Sequence, residues 1–172
     1  MSIKTVTIFG TSRAKTGDPV YTLALETGRL LARAGYAVAN GGYGGTMLAA
    51  AEGASQAGGE VIGVTCSAFK ATANKYVTRE IMTDSLDERL NKLIELGQAY
   101  IALPGGTGTL LELAKVWELR NKGFSKPDKP IILLGEFWKP LVELLATDDP
   151  DCGRYVDPAD DPEQAVKLIN DY

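Results

Sequence analysis

Residues 100–118, YIALPGGTGTLLELAKVWE, combine a glycine-rich turn with a carboxylate in a pattern that suits anion chemistry. Four apolar residues lead into Pro104, which favours an extended approach and disfavours a helix immediately before it. A helix start offers unpaired N–H groups and the positive end of a dipole, so the pattern predicts a phosphate cradle over the turn. The alternative is a tight turn without a ligand. The turn consists of Gly105, Gly106, Thr107, Gly108 and Thr109, and the helical spacing after it is carried by Leu110, Leu113, Ala114 and Trp117.

Glu112 and Arg89 are the two charged candidates for chemistry near this turn. Glu112 lies three residues after Thr109, so the two residues also fit a capping box, in which Glu112 only satisfies helix N–H groups. A carboxylate beside a ribose C1′ would instead orient water and stabilise an oxocarbenium-like transition state. Arg89 falls early in the preceding predicted helix, where the dipole disfavours a cation. That position favours a specific anion as its partner.

Two further glycine-rich loops follow predicted strands, and both would lie at the same edge of a parallel sheet. Close approach of the backbone to a ligand explains such glycines, and so does tight packing of a strand against a helix. We treat both loops as candidate ligand-binding loops and keep packing as the alternative. The first loop contributes Gly10, Thr11 and Ser12, and the second, residues 41–47, contributes Gly41, Gly42, Gly45 and Met47.

The turn and its carboxylate resemble the PGGxGTxxE signature of the LOG ("lonely guy") family, whose members are often mislabelled as lysine decarboxylases. Arg89 lies at the spacing of a second family signature, and residues 41–47 are similar to a third, GGGxxGxM. The chain departs from the family at Leu90, where Lys is usual, and at Asn40, where Gly is usual. The residues that match the first signature are Pro104, Gly105, Gly106, Gly108, Thr109 and Glu112.

LOG proteins are cytokinin-activating nucleoside 5′-monophosphate phosphoribohydrolases, so the resemblance implies hydrolysis of an N-glycosidic bond to free base and ribose 5-phosphate. It implies that Arg89 and Glu112 are catalytic, that residues 105–109 hold the phosphate, and that no cofactor or metal is needed. It also implies a homodimer or a higher homo-oligomer. Glu80 and Asp84 are candidates for the leaving-group acid because they lie near the carboxyl edge of the predicted sheet.

The same signature occurs in molybdenum-cofactor carrier proteins, which bind a phosphorylated ligand without hydrolysing it. Leu90 in place of the family's Lys favours that alternative. A third possibility is DNA binding, as in distantly related DNA-processing proteins. The net charge of −4 disfavours it, because a nucleic-acid surface requires a basic stripe.

Composition limits the chemistry further. The chain has no histidine, which excludes Ser-His-Asp, Cys-His and His-ligated metal chemistry. Two cysteines far apart in 172 residues do not form a disulfide framework or a zinc site. No apolar run reaches about 18 residues, the length of a membrane span, and the N-terminus reads as a strand rather than a signal peptide. We expect a cytoplasmic protein that binds a small phosphorylated ligand and neither nucleic acid nor membrane.

Strand and helix patterns alternate along the whole chain, which predicts an α/β fold with a Rossmann-like, doubly wound parallel sheet flanked by helices. No linker or repeat marks a boundary, so residues 1–172 are predicted to form a single domain. The irregular residues 67–74 are expected to form a loop over the site. Residues 121–130 read as a basic connection, residues 131–134 as a candidate last buried strand, and residues 147–161 as an acidic, turn-rich tail.

Overall fold

The structure, a computed structural model, describes residues 4–125 and 129–172. The expected basic connection, residues 121–130, lies partly outside this description. Within the described residues the sheet has seven parallel strands in the order β4-β3-β2-β1-β5-β6-β7. The strands are β1 (Thr5–Phe9), β2 (Ala37–Asn40), β3 (Val61–Cys66), β4 (Arg79–Thr83), β5 (Ala99–Ala102), β6 (Ile131–Leu134) and β7 (Asp157–Ala159).

Helices connect these strands and cover both faces of the sheet. They are α1 (Pro19–Arg33), α2 (Thr46–Gln56), α3 (Leu86–Leu96), α4 (Thr107–Asn121), α5 (Lys139–Leu145) and α6 (Pro162–Asn170), with a short 3-10 helix at Cys152–Tyr155. Buried side chains of α1, α2 and α6 form the core on one face, and those of α3 and α4 pack on the other. The predicted α/β, Rossmann-like fold is therefore confirmed.

The chain reverses its direction of winding at β1, which pairs with β2 on one side and β5 on the other. At such a switch point the loops that follow the two central strands diverge and leave a crevice at the carboxyl edge. The loops after β1, β2 and β5 are the three glycine-rich segments. The fold thus brings the predicted loops to one edge.

Two buried tryptophans fix elements beside this edge. Trp138 donates its indole N–H to the carbonyl of Leu103, at 3.1 Å, just before the glycine-rich turn. Trp117, on the buried side of α4, donates to the carbonyl of Cys152 at 3.0 Å. Both bonds satisfy a polar group inside the core, so they hold α4 and the end of β5 in register with the C-terminal part of the chain.

Three elements show details that the sequence pattern alone does not give. Residues 76–83 carry a strand pattern, but the strand itself begins only at Arg79. Residues 131–134 are the last strand that is buried along its whole length, as expected, and beyond them at the edge of the sheet pairs the partly buried β7. This strand has three residues and includes Pro158, which an edge position tolerates, and so it carried no strand pattern. In α4, Leu110 and Ala114 are exposed rather than core.

Among the described residues, no helix is both long enough and apolar enough to cross a membrane.

Candidate functional site

A cavity of about 730 Å³ opens at the carboxyl edge of the sheet and is walled by all three glycine-rich loops. It brings together most of the residues that the sequence singles out. Among the predicted residues of the glycine-rich loops, Gly42, Gly45 and Gly105 do not line it. Those that do are Gly10, Thr11, Ser12, Gly41, Met47, Arg89, Gly106, Thr107, Gly108, Thr109 and Glu112.

Arg89 lies at the floor of this cavity in a closely defined position. Its side chain is only 10 % exposed, and its Nε donates to the carbonyl of Val64 at 2.8 Å. The guanidinium lies over the rings of Tyr43 and Phe69, at 5.6 and 5.7 Å from their centroids. Because a backbone carbonyl and two aromatic rings hold it, the cation has little freedom to move away from the cavity.

Glu112 faces Arg89 across the cavity floor, with Oε1 at 3.8 Å from Nη1, and its side chain is 15 % exposed. Burial raises the pKa of Glu112 from its ordinary value of 4.5 to about 7, and the charge of Arg89 partly opposes that rise. Near neutral pH this carboxyl therefore exists in both protonation states. A carboxyl tuned in this way can accept a proton from water or stabilise positive charge.

The capping-box interpretation of Glu112 is wrong. Helix α4 begins at Thr107 with Gly106 as its N-cap, so Thr109 lies inside the first turn and cannot be the capping residue. No side chain caps this helix. The misplacement arose because the apolar pattern starts at Leu110, three residues after the helix itself begins.

The glycines that surround the cavity divide into two kinds. The first kind is required by packing, because a Cβ atom would collide with a neighbour. A Cβ on Gly41 would lie 1.8 Å from Nη2 of Arg89, on Gly10 2.4 Å from Oγ1 of Thr46, and on Gly105 2.2 Å from Oγ1 of Thr109. Gly42 and Gly45 have φ of +77° and +66°, a backbone conformation that favours glycine.

Gly106 and Gly108 are the second kind. A Cβ on either would have no atom within 4 Å, and neither has a positive φ. Neither packing nor backbone conformation requires glycine at these two positions. Both are exposed at the start of α4, where the first N–H groups have no partner in the helix. A bare backbone at a helix N-terminus is the arrangement that binds phosphate.

Asn40 holds the second loop together. This fully buried side chain accepts a hydrogen bond from the N–H of Gly42 at 2.8 Å and donates to the carbonyl of Met47 at 3.1 Å. The departure from the family's usual glycine therefore adds a cross-link between the two ends of the loop. Leu90, the other departure, is buried and does not line the cavity.

Sequence reasoning did not place Tyr43, Leu86 and Arg13 in the site, although all three line the cavity. Phe69, which belongs to the irregular residues 67–74 expected over the site, lines the cavity as well. Conversely, Glu80 and Asp84 do not line it. Glu80 accepts a hydrogen bond from Thr65, and Asp84 accepts one from Ser67. No local sequence pattern indicates which of these residues line the cavity, because this depends on how the segment after β3 folds back.

Comparisons with known proteins identify the family. A family model described as "Possible lysine decarboxylase" matches residues 47–169, which include Arg89 and Glu112. The cytokinin riboside 5′-monophosphate phosphoribohydrolase of Rhodococcoides fascians is 33 % identical over 148 residues, which are 83 % of this chain and 74 % of that protein. The protein of the same name from Mycobacterium tuberculosis is 34 % identical over 115 residues, which are 65 % of this chain and 60 % of that one.

Among solved structures, the molybdenum cofactor binding protein of Rippkaea orientalis superposes with a TM-score of 0.83 at 28 % identity. The superposition covers 99 % of this chain and 98 % of that one. The family model spans well over half of the chain. The chain therefore belongs to the LOG family, whose family model carries the description of a possible lysine decarboxylase.

Proposed function

We propose that this protein hydrolyses the N-glycosidic bond of a nucleoside 5′-monophosphate and releases a free base and ribose 5-phosphate. The observation that carries the proposal is the position of Glu112, whose pKa of about 7 belongs to a carboxyl facing Arg89 in the same cavity as the bare helix start. The relative from Rhodococcoides fascians, named for this activity, supports it.

The phosphate would lie over the N–H groups at the start of α4. Residues 106–109 supply these groups, and Gly106 and Gly108 let an anion reach them because no side chain intervenes. The hydroxyl of Thr109, in the first turn, lies on the cavity wall and is a further donor. Thr11 and Ser12 face the cavity from the loop after β1 and would contact the phosphate or the ribose from the opposite side.

The same helix would place the carboxylate at the reacting carbon. Glu112 follows Thr107 by five residues, so the rise of a helix puts it about 7.5 Å further along the axis. A ribose spans a comparable length, which brings C1′ near Glu112 when the 5′-phosphate is at the helix start. There the ionised carboxylate would orient water for attack and stabilise the positive charge that develops as the bond to the base breaks.

Arg89 would act in two ways within this scheme. Its positive charge attracts the phosphate into the cavity, and the same charge lowers the pKa of Glu112 against the effect of burial. The leaving base must also take up a proton, and the proton that the attacking water loses would reach it through solvent. Glu80 and Asp84, the two residues considered for this proton transfer, lie outside the cavity.

The test is an assay of free base released from a panel of nucleoside 5′-monophosphates, separated by chromatography. Glu112→Gln should lower the rate by about 10²-fold or more, the range typical of general acid–base groups, while the affinity for the monophosphate changes little. Glu118→Gln, on the exposed side of the same helix, is the matched control and should leave the rate unchanged. Equal rates in the wild type and Glu112→Gln would refute the role of Glu112.

A second candidate function is that of a carrier of a phosphorylated cofactor such as molybdenum cofactor. The observation that favours it is the likeness to the Rippkaea orientalis protein over nearly the whole of both chains. The assay above separates the two functions. A carrier would bind nucleoside monophosphates or a pterin phosphate and would release no base from any of them.

We further propose that the protein is a homodimer or a higher homo-oligomer. Leu86, Leu110 and Leu111 expose 36–49 % of their surface around the N-termini of α3 and α4, and a partner subunit would cover them. Light scattering coupled to size-exclusion chromatography should show an oligomer for the wild type and a smaller species for Leu111→Glu. A monomeric wild type at micromolar concentration would contradict this proposal.

A further inference from the structure

The segment after β3 brings an aromatic side chain to the cavity and fixes it there. The N–H of Phe69 donates to the carbonyl of Cys66 at 3.0 Å, which closes a turn directly after the strand. Five residues later, Asn74 donates its backbone N–H to the carbonyl of Gly42 at 2.7 Å and its amide Nδ2 to the carbonyl of Tyr43 at 2.9 Å. The segment is therefore tied to the second glycine loop rather than free of it.

Tyr43 forms the other half of an aromatic pair. Its hydroxyl accepts a hydrogen bond from the N–H of Cys66 at 2.8 Å, so the ring is held against the end of β3. The centroids of Tyr43 and Phe69 lie 6.0 Å apart with their planes tilted by 55°, a favourable geometry for an aromatic pair. Both rings border the cavity, and the guanidinium of Arg89 lies against both.

Phe69 is a large apolar side chain that contacts the ring of Tyr43 and the guanidinium of Arg89, and yet it remains 40 % exposed. The contacts to Tyr43 and Arg89 use part of the ring and leave the remainder toward the cavity. A flat heteroaromatic ring laid on that remainder would remove the exposed apolar surface from water and gain stacking energy.

We infer that Phe69, supported by Tyr43, is a specificity-determining residue that binds the heteroaromatic part of the ligand by stacking. The inference rests on the proposed function, because it takes the phosphate of the same ligand to lie at the start of α4. It assigns the other end of the cavity to a planar heterocycle and thereby distinguishes an aryl-bearing monophosphate from ribose 5-phosphate alone.

The test compares the affinities for AMP and for ribose 5-phosphate by isothermal titration, in a Glu112→Gln background that prevents turnover. Phe69→Ala should weaken AMP binding roughly 5- to 100-fold, which is about 1–3 kcal/mol per stacked base converted at about 1.4 kcal/mol per tenfold. Binding of ribose 5-phosphate should stay within about twofold. Phe69→Tyr, which keeps an aromatic ring, should bind AMP about as tightly as the parent protein. Phe69→Leu, which is apolar but cannot stack, should have an affinity for AMP between those of the parent and Phe69→Ala.

Phe124→Ala is the matched control, because Phe124 is 77 % exposed and does not border the cavity, and it should change neither affinity. Equal losses for AMP and ribose 5-phosphate in Phe69→Ala, with full recovery in Phe69→Leu, would show that Phe69 only covers Arg89 and would overturn the inference. The inference would also be overturned if AMP and ribose 5-phosphate bound with equal affinity to the Glu112→Gln protein that keeps Phe69. Absence of base release by the wild type would instead refute the proposed hydrolysis, and the two failures are therefore distinguishable.

Discussion

The buried carboxyl of Glu112 predicts that one conservative substitution removes activity and stabilises the fold. Glu112→Gln keeps the size and shape of the side chain but cannot ionise. In the wild type, ionisation of Glu112 inside the cavity is unfavourable relative to water, because the loss of hydration outweighs the attraction of Arg89. The Gln variant escapes this penalty wherever the wild-type carboxyl must be charged.

The sign and size of the effect follow from the two pKa values. The unfolded chain releases the proton near its ordinary pKa of 4.5, whereas the folded protein holds it until a pKa of about 7. Folding is thus favoured by this group below pH 4.5, and the contribution is lost as the pH rises through 7. The difference between the two pKa values corresponds to a loss of about 3 kcal/mol in the free energy of unfolding, at about 1.36 kcal/mol per tenfold change in proton affinity.

Urea unfolding of wild type and Glu112→Gln at pH 4 and pH 8 measures this difference. At pH 4 the two free energies of unfolding should nearly coincide, and at pH 8 the variant should be more stable by about 2–3 kcal/mol. For a chain of this size that corresponds to a rise in Tm of roughly 4–12 °C. Glu118→Gln, which removes an exposed carboxylate from the same helix, should show no such dependence on pH. A Gln variant that is less stable than the wild type at pH 8 would refute the reasoning.

Three further predictions concern the same site. Base release should rise with pH around a midpoint near 7, the pKa of Glu112. In Arg89→Gln the residual activity should have its midpoint at a higher pH, because the positive charge that lowers the pKa of Glu112 is gone. An unchanged midpoint would contradict the electrostatic coupling between Arg89 and Glu112. Gly108→Ala should raise the free energy of unfolding by about 0.4–1 kcal/mol and weaken phosphate binding. Gly41→Ala should instead destabilise the protein, because its Cβ would collide with Arg89. Thermal unfolding measures the stabilities, and titration with inorganic phosphate measures the binding. Asn40→Ala should cost roughly 1–3 kcal/mol of stability, since it leaves the buried N–H of Gly42 without a partner and removes a second hydrogen bond to Met47. A change below about 0.5 kcal/mol in urea unfolding would count against the cross-link.

The fold was predictable from the sequence because its strands and most of its helices carry strong local signals. β1, β2, β3, β5 and β6 are short apolar runs, each buried along its whole length. Such runs identify strands that are covered on both faces. Ser85 caps α3 by accepting a hydrogen bond from the N–H of Glu88, and a Ser followed three residues later by a Glu is the sequence pattern of such a cap.

The structural features that could not be predicted from the sequence are those that depend on tertiary contacts. Helix α4 starts directly after Gly106, and no capping side chain at that position marks the start in the sequence. β7 exists because β6 offers it an edge, and three residues with a proline carry no pattern of their own. The positions of Arg13 and Leu86 at the cavity wall depend on how distant loops meet, which no local spacing encodes.

The glycine-rich motif itself is a mixture of two requirements that sequence alone cannot separate. Gly105 and Gly106 are adjacent and identical in type, yet a Cβ on the first would collide with Thr109 and a Cβ on the second would meet nothing. At Gly108, inside the first turn of α4, the chain gives up the stability that alanine would add to a helix, and one turn later it buries the carboxyl of Glu112 against an unfavourable loss of hydration. Neither feature benefits the fold, and both border one cavity. Local destabilisation concentrated in this way is typical of binding and catalytic sites, and the proposed ligand would give Gly108 and Glu112 a common explanation.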